Sequence, residues 1–431
     1  MAFAAILFLP RLLGDGDIYW HIAAGRWMIE NTAVLRIDPF SLTRAGHPWQ
    51  TTGWIGDIVT AFAYIGAGWS GILILFGAAA AVAAGVLAWQ LSRRLDALVL
   101  AAVLVAVFAG AWGALSARPY LLALPLFAVW LAGLAAARGR APSLKLVVAM
   151  VLWANLHSSF ALGLMLILPF ALEAVWQDPR AWRGWAVFAG AAVVASLVTP
   201  YGVQNLVHAL HLVEAPGAGV FAGAVAAAAA AALLVHVPAI KPFRIAALIW
   251  LGFLALDHGG DRILFAASVP LLLAEPLACL RRREEIRPRF HWRQAAAFVV
   301  LIGAVAGLRI ALPAERGDDD STPGAAFGRV PAAIVHAPVL NEPRFGGYLI
   351  FNDVRPFIDS RSALYGESFR QRYDRMMRPD GALLKAALAR YHIRWTILAP
   401  DNPAVRIMDS MTGWRRLYSD RFAVVHIKNG D

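Results

Sequence analysis

Long apolar runs separated by short polar connections make up most of the first 312 residues of the chain. A run of about 20 apolar residues can cross the hydrocarbon core of a bilayer as a helix. Eleven runs fit this pattern, several of them only together with flanking residues: Ala2–Leu13, Ser70–Leu91, Ala97–Leu115, Tyr120–Ala137, Leu144–Asn155, Phe160–Trp176, Trp185–Val198, Gly217–Val235, Ile245–Leu256, Ile263–Leu280 and Ala295–Leu312. The pattern predicts a polytopic α-helical membrane protein with about 11 spans over residues 1–312.

Composition agrees with this prediction, because 59% of the 431 residues are hydrophobic and only 16% are charged. A soluble domain of this size could not bury so much apolar surface. The first run, Ala2–Leu13, rises only about 20 Å as a helix, so we expect the true start to lie upstream of Met1. The single cysteine, Cys279, excludes an intramolecular disulfide framework.

The placement of Arg and Lys predicts the orientation of the spans. If residues 14–57 face outward, fifteen basic residues fall in inner loops, against Arg118 and Arg262 in the short outer connections. The positive-inside rule favours this arrangement, and an odd number of spans then places the region after Pro313 outside as well. The net charge of +11 is therefore assigned to membrane anchoring and contact with membrane lipid, and nucleic acid is not an expected partner.

The polar chemistry of the chain is concentrated in the first outer loop, Gly14–Asp57. Apolar residues recur at helical spacing from Asp17 to Asn31, which predicts an amphipathic helix at the membrane interface. Asp15 and Asp17 form a D-x-D just before it. One carboxylate could act as a general base on an acceptor hydroxyl or hold a divalent metal ion near a phosphate, whereas the alternative is a solvated turn. Asp17 is the preferred catalytic residue, with Asp15 sharing the site.

Further polar residues fall on the predicted outer side at the ends of several spans. An isolated arginine at a membrane edge is commonly an interfacial anchor, and His21 could be structural. Arginines beside histidines and carboxylates would instead hold a phosphate or diphosphate. No metal-ligand cluster is predicted. The candidate substrate-binding residues are His21, Arg118, Asn155, His157, Tyr201, Asp261 and Arg262.

The pattern changes after the last apolar run. Residues 313–331, with the acidic run Asp318–Asp320, are predicted to be a flexible linker, and residues 332–431 a small α/β domain. Strands are predicted at Gly347–Asn352, Pro356–Ser360, Trp395–Ala399 and Phe422–Ile427. Helices are predicted at Glu367–Met377 and Gly381–Tyr391, with Asn402 and Pro403 beginning a third.

Several short motifs resemble those of a bacterial family of predicted membrane glycosyltransferases of the GT-C class. They are D-x-D-I-Y-W-H-I-A-A-G-R, I-D-P-F-S, P-W-Q-T-T-G-W-I, S-A-R-P-Y, W-A-N-L-H-S-S-F and T-P-Y-G, followed in the tail by F-G-G-Y-L-I-F-N and P-F-I-D-S-R-S-A-L-Y-G. The resemblance implies a GT-C-like fold, a polyprenyl-phosphate-linked sugar donor, inverting transfer at the outer face, and an essential acidic residue that matches Asp17 or Asp15.

The chain departs from that pattern at a few positions. Relatives carry His-Glu before the tryptophan of the second loop motif, where this chain has Thr52 and Gly53. Ser158 and Ser159 replace glycines, and Thr199 replaces an asparagine.

These features predict a glycosyltransferase of the bacterial cytoplasmic membrane, with its C-terminal domain outside, that transfers a sugar to a glycan, lipid or protein acceptor. The alternative is a non-catalytic GT-C-like scaffold or subunit of a larger membrane assembly, since the substituted positions would cost a scaffold nothing. A transporter is disfavoured, because the chain has no clear internal repeat and its ionisable residues lie at span ends.

Overall fold

The structure is a computed structural model and describes residues 10–51, 53–137, 139–212, 241–257, 262–280, 292–379 and 381–430. These residues form two compact units. The first comprises the described residues within Met1–Leu12, Thr52–Gly56 and Ser70–Leu312, and the second those within Leu13–Thr51, Asp57–Trp69 and Pro313–Asp431. The second unit is thus assembled from three separate parts of the chain.

Where the structure describes them, the apolar runs predicted in the first 312 residues are largely helical, although the run at Ser70–Leu91 is part of a longer helix that begins at Trp54. The described α-helices include six in the tail. In chain order they are α1 Asp17–Asn31, α2 Trp54–Ser92, α3 Ala97–Ala111, α4 Pro119–Ala136, α5 Val147–Leu156, α6 Phe160–Met165, α7 Ile167–Gln177, α8 Trp182–Ser196, α9 Val203–Leu212, α10 Pro242–Asp257, α11 Arg262–Leu272, α12 Ala274–Leu280, α13 Trp292–Ala311, α14 Gly324–Phe327, α15 Gly346–Phe351, α16 Ser362–Tyr365, α17 Glu367–Met376, α18 Ala382–Arg390 and α19 Ala404–Ser410.

Four helical stretches in the described part of the chain are long and apolar enough to cross a membrane. They are Trp54–Ser92, Ala97–Ala114, Pro119–Ala136 and Phe160–Gln177. Shorter apolar helices lie at Leu144–Leu156, Pro242–Leu256, Arg262–Leu272 and Val299–Ala311. Residues 1–9 and the span predicted at Gly217–Val235 lie outside the described residues, and the number of 11 spans stays a prediction.

Large aromatic side chains hold the first unit together. Trp130 of α4 stacks on Phe188 of α8, with ring centroids 5.4 Å apart. Its indole Nε1 donates to the carbonyl of Gly163 in α6 at 2.9 Å. A Cβ at Gly163 would lie only 2.5 Å from the ring of Trp153 in α5. The glycine therefore allows α6 to pack directly on that ring, so four helices meet around two buried tryptophans.

A cluster of ion pairs joins the ends of several helices in the same unit. Arg244 of α10 donates to both carboxylate oxygens of Glu173 in α7, at 2.8 and 3.0 Å. Lys241 bridges Glu173 at 3.2 Å and Glu275 of α12 at 3.1 Å. Because Arg244 is buried, the pairing offsets the cost of removing its charge from water.

The second unit contains a four-stranded sheet in the order β1-β2-β4-β3. Its strands are β1 Val339–Asn341, β2 Trp395–Leu398, β3 Trp414–Ser419 and β4 Val424–Lys428. β1 pairs with β2 in parallel, whereas β4 runs antiparallel to both β2 and β3. Successive residues of the central strands enter two different apolar cores, so both faces of the sheet are covered.

The strands predicted at Trp395–Ala399 and Phe422–Ile427 are confirmed as β2 and β4, and the helices predicted at Glu367–Met377 and Gly381–Tyr391 are confirmed as α17 and α18. The strand predicted at Gly347–Asn352 is wrong, because this short run forms α15. Its glycines allow close packing: a Cβ at Gly346 would lie 2.3 Å from the Cβ of Asp359. A short apolar run has no period that separates a buried helix from a strand.

The strand predicted at Pro356–Ser360 is also wrong. The side chain of Asn341 takes the place of a neighbouring strand, since its Oδ1 accepts from the backbone N–H of Phe357 at 2.8 Å and its Nδ2 donates to the carbonyl of Ile358 at 2.8 Å. From the first loop, Thr43 Oγ1 donates to the carbonyl of Phe357 at 2.6 Å. This segment is therefore extended without joining the sheet.

Candidate active site

The acidic turn Asp15–Asp17 lies at the start of α1, as the sequence predicts. Oδ1 of Asp15 accepts from the backbone N–H of Asp17 at 2.9 Å and so closes the turn locally. Oδ1 of Asp17 accepts from the hydroxyl of Ser360 at 2.5 Å, across 343 positions in sequence. Both carboxylates are half-buried. The turn thus contains two half-buried carboxylates. That of Asp15 is hydrogen-bonded within the turn, and that of Asp17 is hydrogen-bonded to Ser360 of the tail.

Residues of the predicted linker hold this turn from behind. Arg316, with only 3% of its side chain exposed, donates from Nη1 to the backbone carbonyl of Asp15 at 2.8 Å. Its other nitrogen, Nη2, donates to Ser321 at 2.8 Å and to Asp319 at 3.2 Å. The guanidinium lies 4.5 Å above the ring of Tyr19. Arg316 therefore fixes the backbone that carries both carboxylates.

The middle residue of the turn has no room for a side chain. A Cβ at Gly16 would lie 2.6 Å from the Cβ of Ser321. On the other side, a Cβ at Gly347 would lie 2.7 Å from the carbonyl oxygen of Gly16. Gly16 and Gly347 are therefore both needed for α15 and the linker segment to reach the acidic turn.

A histidine–carboxylate pair lies one helical turn along α1 from Asp17. His21 Nδ1 and Asp57 Oδ1 are 2.6 Å apart, and the hydroxyl of Thr51 donates to Asp57 Oδ2 at 2.6 Å. The side chain of Asp57 is fully buried and that of His21 is 12% exposed. The ring of Trp20 covers the imidazole at a centroid distance of 3.5 Å. In the described part of the chain, the hydrogen bonds of His21 use only Nδ1, so Asp57 sets the orientation of the ring.

The close crossing of α1 and α2 brings His21 and Asp57 together. A Cβ at Gly25 would lie 2.1 Å from the carbonyl oxygen of Asp57. Because residues four apart lie on the same helix face, the contact at Gly25 brings His21 to the carboxylate of Asp57. Tyr19, on a different face, is buried among aromatic rings, and its pKa is raised to about 12, mainly by burial. Tyr19 is therefore a packing residue.

The motifs I-D-P-F-S and P-F-I-D-S-R are joined by buried ion pairs. Arg361 in P-F-I-D-S-R donates to Asp38 of I-D-P-F-S at 2.8 Å and to Asp359 at 2.7 Å. All three residues are buried, and the ring of Trp49 lies 4.4 Å from the guanidinium. Burial disfavours the charge on Arg361, but the carboxylates of Asp359 and Asp38 outweigh burial and raise its pKa above the usual value. The motif pair therefore ties the first loop to the tail within one unit.

The remaining predicted site residues belong to the first unit, whereas Asp15, Asp17 and His21 belong to the second. Arg118 is exposed immediately before α4, and Arg262 is exposed at the start of α11, where its Nε donates to the carbonyl of Ala255 at 3.3 Å. His157 Nδ1 accepts from the backbone N–H of Ser159 at 3.1 Å. Asp261 lies outside the described residues.

Asn155 and Tyr201 are buried in this unit. Asn155 accepts from the indole of Trp54 at 2.7 Å and donates to the carbonyls of Val151 and Val198, both at 2.8 Å. These bonds connect α2, α5 and the segment after α8. The assignment of these residues to substrate binding stays a prediction.

The structure gives a physical reason for one departure from the family pattern. A Cβ at Gly53 would lie 2.5 Å from the carbonyl oxygen of Leu156 at the end of α5. A glutamate at this position would need the two helix ends to separate, so glycine suits the packing of this chain. Thr52 lies outside the described residues. Two other substituted residues form hydrogen bonds: Ser159 accepts from Trp153 Nε1 at 2.9 Å, and Thr199 accepts from the backbone of Gly202 at 3.1 Å.

Sequence reasoning missed Asp57, Ser360 and Arg316 as parts of this region. Asp57 stands in the sequence only as the end of the loop, and Arg316 and Ser360 lie 301 and 343 positions from their partners Asp15 and Asp17. The only available signal was that the first loop and the tail both carry motifs of the same family. Among the described residues, no three His, Cys, Asp or Glu side chains are grouped as metal ligands would be.

Comparison with solved structures identifies the fold. The chain is similar to the archaeal oligosaccharyltransferase AglB from Archaeoglobus fulgidus in complex with an inhibitory peptide and a dolichol-phosphate, with a TM-score of 0.50 and 11% identity. The match covers 90% of this chain and 66% of that one. The apo oligosaccharyltransferase of the same organism matches with a TM-score of 0.49 and 10% identity, over 90% and 66% of the two chains.

No family model matches the chain, and no curated protein matches it. The structural neighbours are GT-C-type glycosyltransferases of membranes. The match with a TM-score of 0.50 indicates a GT-C-like fold for this chain, with apolar helices and a small sheet-containing region. The chain spans about two thirds of the length of those neighbours.

Proposed function

We propose that this protein is a membrane glycosyltransferase that moves a sugar from a polyprenyl-phosphate-linked donor to a glycan, lipid or protein acceptor. The neighbour bound to a peptide and dolichol-phosphate supports a lipid-linked donor and a protein acceptor. We place the reaction at the outer face of a bacterial cytoplasmic membrane, on the basis of the distribution of Arg and Lys.

The contact between Asp17 and Ser360 carries this proposal. The carboxylate of Asp17 accepts a hydrogen bond from an aliphatic hydroxyl at 2.5 Å, which is the contact that an acceptor hydroxyl would make before losing its proton. A carboxylate has about four lone-pair sites, so it can accept from a second hydroxyl while Ser360 holds its orientation. Arg316 and Gly16 keep the turn in place behind it.

In the proposed reaction the acceptor oxygen attacks the anomeric carbon of the donor sugar. A new C–O bond forms as the bond between that carbon and the phosphate oxygen breaks, and the phosphate leaves with the electron pair. Asp17 takes the proton of the acceptor hydroxyl, and the anomeric configuration inverts. Holding the acceptor oxygen and the base in contact lowers the entropic part of the barrier. The assignment of Arg118, His157 and Arg262 to the phosphate stays a prediction from their charge.

The test compares lipids and glycans by mass spectrometry in a strain that lacks the gene and is complemented with variants. We expect Asp17→Asn to reduce the transferred product by about 10²–10⁴-fold, the usual contribution of general-base catalysis, with membrane levels unchanged. Asp374→Asn, at an exposed position of α17, is the matched control and should restore the product fully. Full activity of Asp17→Asn would remove the base from the scheme. If the strain that lacks the gene has the same lipids and glycans as its parent strain, the scaffold alternative is favoured.

A further inference from the structure

A small apolar cavity opens between α17 and α18 of the second unit, and none of its lining residues belongs to the acidic turn. Its volume is about 160 Å³. The floor consists of Phe357, Phe369, Tyr373 and Met376, all buried in the larger apolar core. A cavity of about 150 Å³ with such a lining is large enough for a benzene molecule. The pocket therefore accommodates a single phenyl-sized side chain.

Small and exposed residues of α18 form the wall of the cavity. Ala386 and Ala387 leave the space open, and Leu383 at the edge is 46% exposed. The ring of Phe357 is fixed by an edge-on contact with Tyr391 at 4.9 Å. The pocket is thus preformed by packed aromatic rings, and an apolar group that enters it loses its contact with water.

Two arginines stand at the mouth. Arg372 and Arg390 line the cavity, both are exposed, and neither forms an ion pair with any of the described residues. Their helices have a basic excess, because α17 contains three arginines and two acidic residues, and α18 contains one lysine, one arginine and no acidic residue. An apolar pocket between two unpaired guanidinium groups is complementary to an apolar side chain flanked by carboxylates.

We propose that this cavity is a docking site for an acidic peptide segment of a protein partner, which inserts one phenylalanine-sized or leucine-sized side chain between α17 and α18. Carboxylates beside the inserted side chain pair with Arg372 and Arg390. The buried side chain supplies most of the affinity and the two arginines supply selectivity for acidic flanks. The site is independent of glycosyl transfer.

The test measures fluorescence anisotropy of a labelled pentapeptide, with a central phenylalanine and two glutamates on each side, on the purified full-length protein in detergent. A peptide with serine at the centre should bind at least about 10-fold more weakly, because it has no apolar group to bury in the cavity. Ala386→Phe, which fills the cavity from its edge, should abolish binding. Ala389→Phe, exposed on the same helix but outside the cavity, should leave binding unchanged.

Charge reversal at the mouth of the cavity distinguishes binding in the pocket from non-specific attraction to a basic surface. The double variant Arg372→Glu and Arg390→Glu should weaken binding at least about 10-fold, whereas Arg375→Glu on the same helix should have little effect, because that residue does not line the cavity. Equal binding of the serine peptide, or equal losses in the double variant and in Arg375→Glu, would overturn the proposal. Absence of binding up to about 1 mM would do so too.

Discussion

At the scale of single residues, the contact between the first loop and the tail depends on buried charges. Arg361 is enclosed between Asp38 and Asp359, and the hydroxyl of Tyr365 donates to Asp359 at 2.8 Å. Burial, with the Asp359 carboxylate beside it, raises the pKa of Tyr365 well above its usual value, so this hydroxyl remains a donor. Such a network stabilises the fold only while every charge keeps its partner.

We therefore expect Arg361→Leu to destabilise the second unit strongly, because two carboxylates would stay buried without their cation. The cost should be about 3–5 kcal/mol, the usual range when one partner of a buried ion pair is removed. Thermal unfolding of the purified protein, followed by near-UV circular dichroism, measures the change. Arg370→Leu, at an exposed position, is the control and should melt like the unmodified protein. An unchanged melting temperature for Arg361→Leu would contradict this account of the network.

A second residue-scale prediction concerns acid. Nε2 of His426 on β4 lies 2.9 Å from Oδ1 of Asp409 in α19. The same carboxylate accepts from Arg416 of β3, and Nδ1 of His426 contacts Thr396 of β2. Burial lowers the pKa of His426, although Asp409 opposes this effect. The unfolded chain protonates this histidine at its ordinary value of 6.5, whereas the folded form keeps it neutral. The free energy of unfolding should therefore fall as the pH drops below about 6.5.

Asp409 acts in the same direction at lower pH. Its bond with Arg416 is the largest cause of a lowered pKa, so the stabilisation that it provides above its ordinary value of 3.8 is lost on further acidification. Hydrogen exchange in β4, measured from pH 7 to pH 5, should show a progressive loss of protection. His426→Gln should reduce this pH dependence, and His336→Gln, at an exposed position, should not change it. A flat profile for the unmodified protein would disprove the assignment.

At the scale of elements, α1 shows how much of the site the sequence could predict. The helix begins and ends where apolar spacing predicts, at Asp17 and Asn31, and both catalytic candidates lie at its start. Helical spacing could not reveal that α1 crosses α2 at Gly25, because the contact depends on a backbone approach between distant segments. Asp57 therefore remained undetected as the partner of His21.

The tail shows the same limit in another form. β2, β4, α17 and α18 were predicted, since each has a strong period or a run of β-branched residues. The prediction of a strand at α15 is wrong because of tertiary packing. Gly346 packs closely against Asp359 and Gly347 against Gly16, and no local sequence pattern encodes these contacts. The predicted linker also contains α14 and the buried Arg316.

The crossing of α1 and α2 gives an element-scale prediction. Gly25→Ala should separate the two helices, because its Cβ would lie 2.1 Å from a backbone oxygen that cannot move alone. We expect a loss of about 1–3 kcal/mol, the usual cost of overpacking. Gly85→Ala in α2, where a Cβ meets no atom within 4 Å, is the control and should be neutral or slightly stabilising.

Thermal unfolding compares the two glycine variants, and the proton spectrum of His21 reports the hydrogen bond to Asp57. Loss of the downfield imidazole proton in Gly25→Ala, with the fold retained, is the expected signature. If Gly25→Ala melts normally and keeps that proton, the close crossing is not what joins the pair.

At the scale of the whole molecule, the fold and the apolar helices indicate a multi-pass membrane protein. Four described helical stretches are long and apolar enough to cross a membrane. The side on which the tail lies follows only from the distribution of Arg and Lys along the sequence. That distribution predicts that α17 faces outward and that the connection before α5 faces the cytoplasm.

Labelling of introduced cysteines tests this topology, since Cys279 is the only native cysteine and can be replaced by serine. In that background, Arg370→Cys should react with a membrane-impermeant maleimide in intact cells. Ser143→Cys, exposed in the connection before α5, should react only after lysis. The reverse pattern would invert the predicted orientation and remove the outer-face location from the proposed function.

The composition of the second unit from three separate parts of the chain has a consequence for biosynthesis. Asp17 emerges from the ribosome early, but its partner Ser360 and the supporting Arg316 are translated only after about 300 further residues. The acidic turn therefore lacks these two partners until the helices between them in sequence have been translated. A chain truncated before Arg316 lacks both contacts, so we expect it to leave the acidic turn without the support that the full chain gives it.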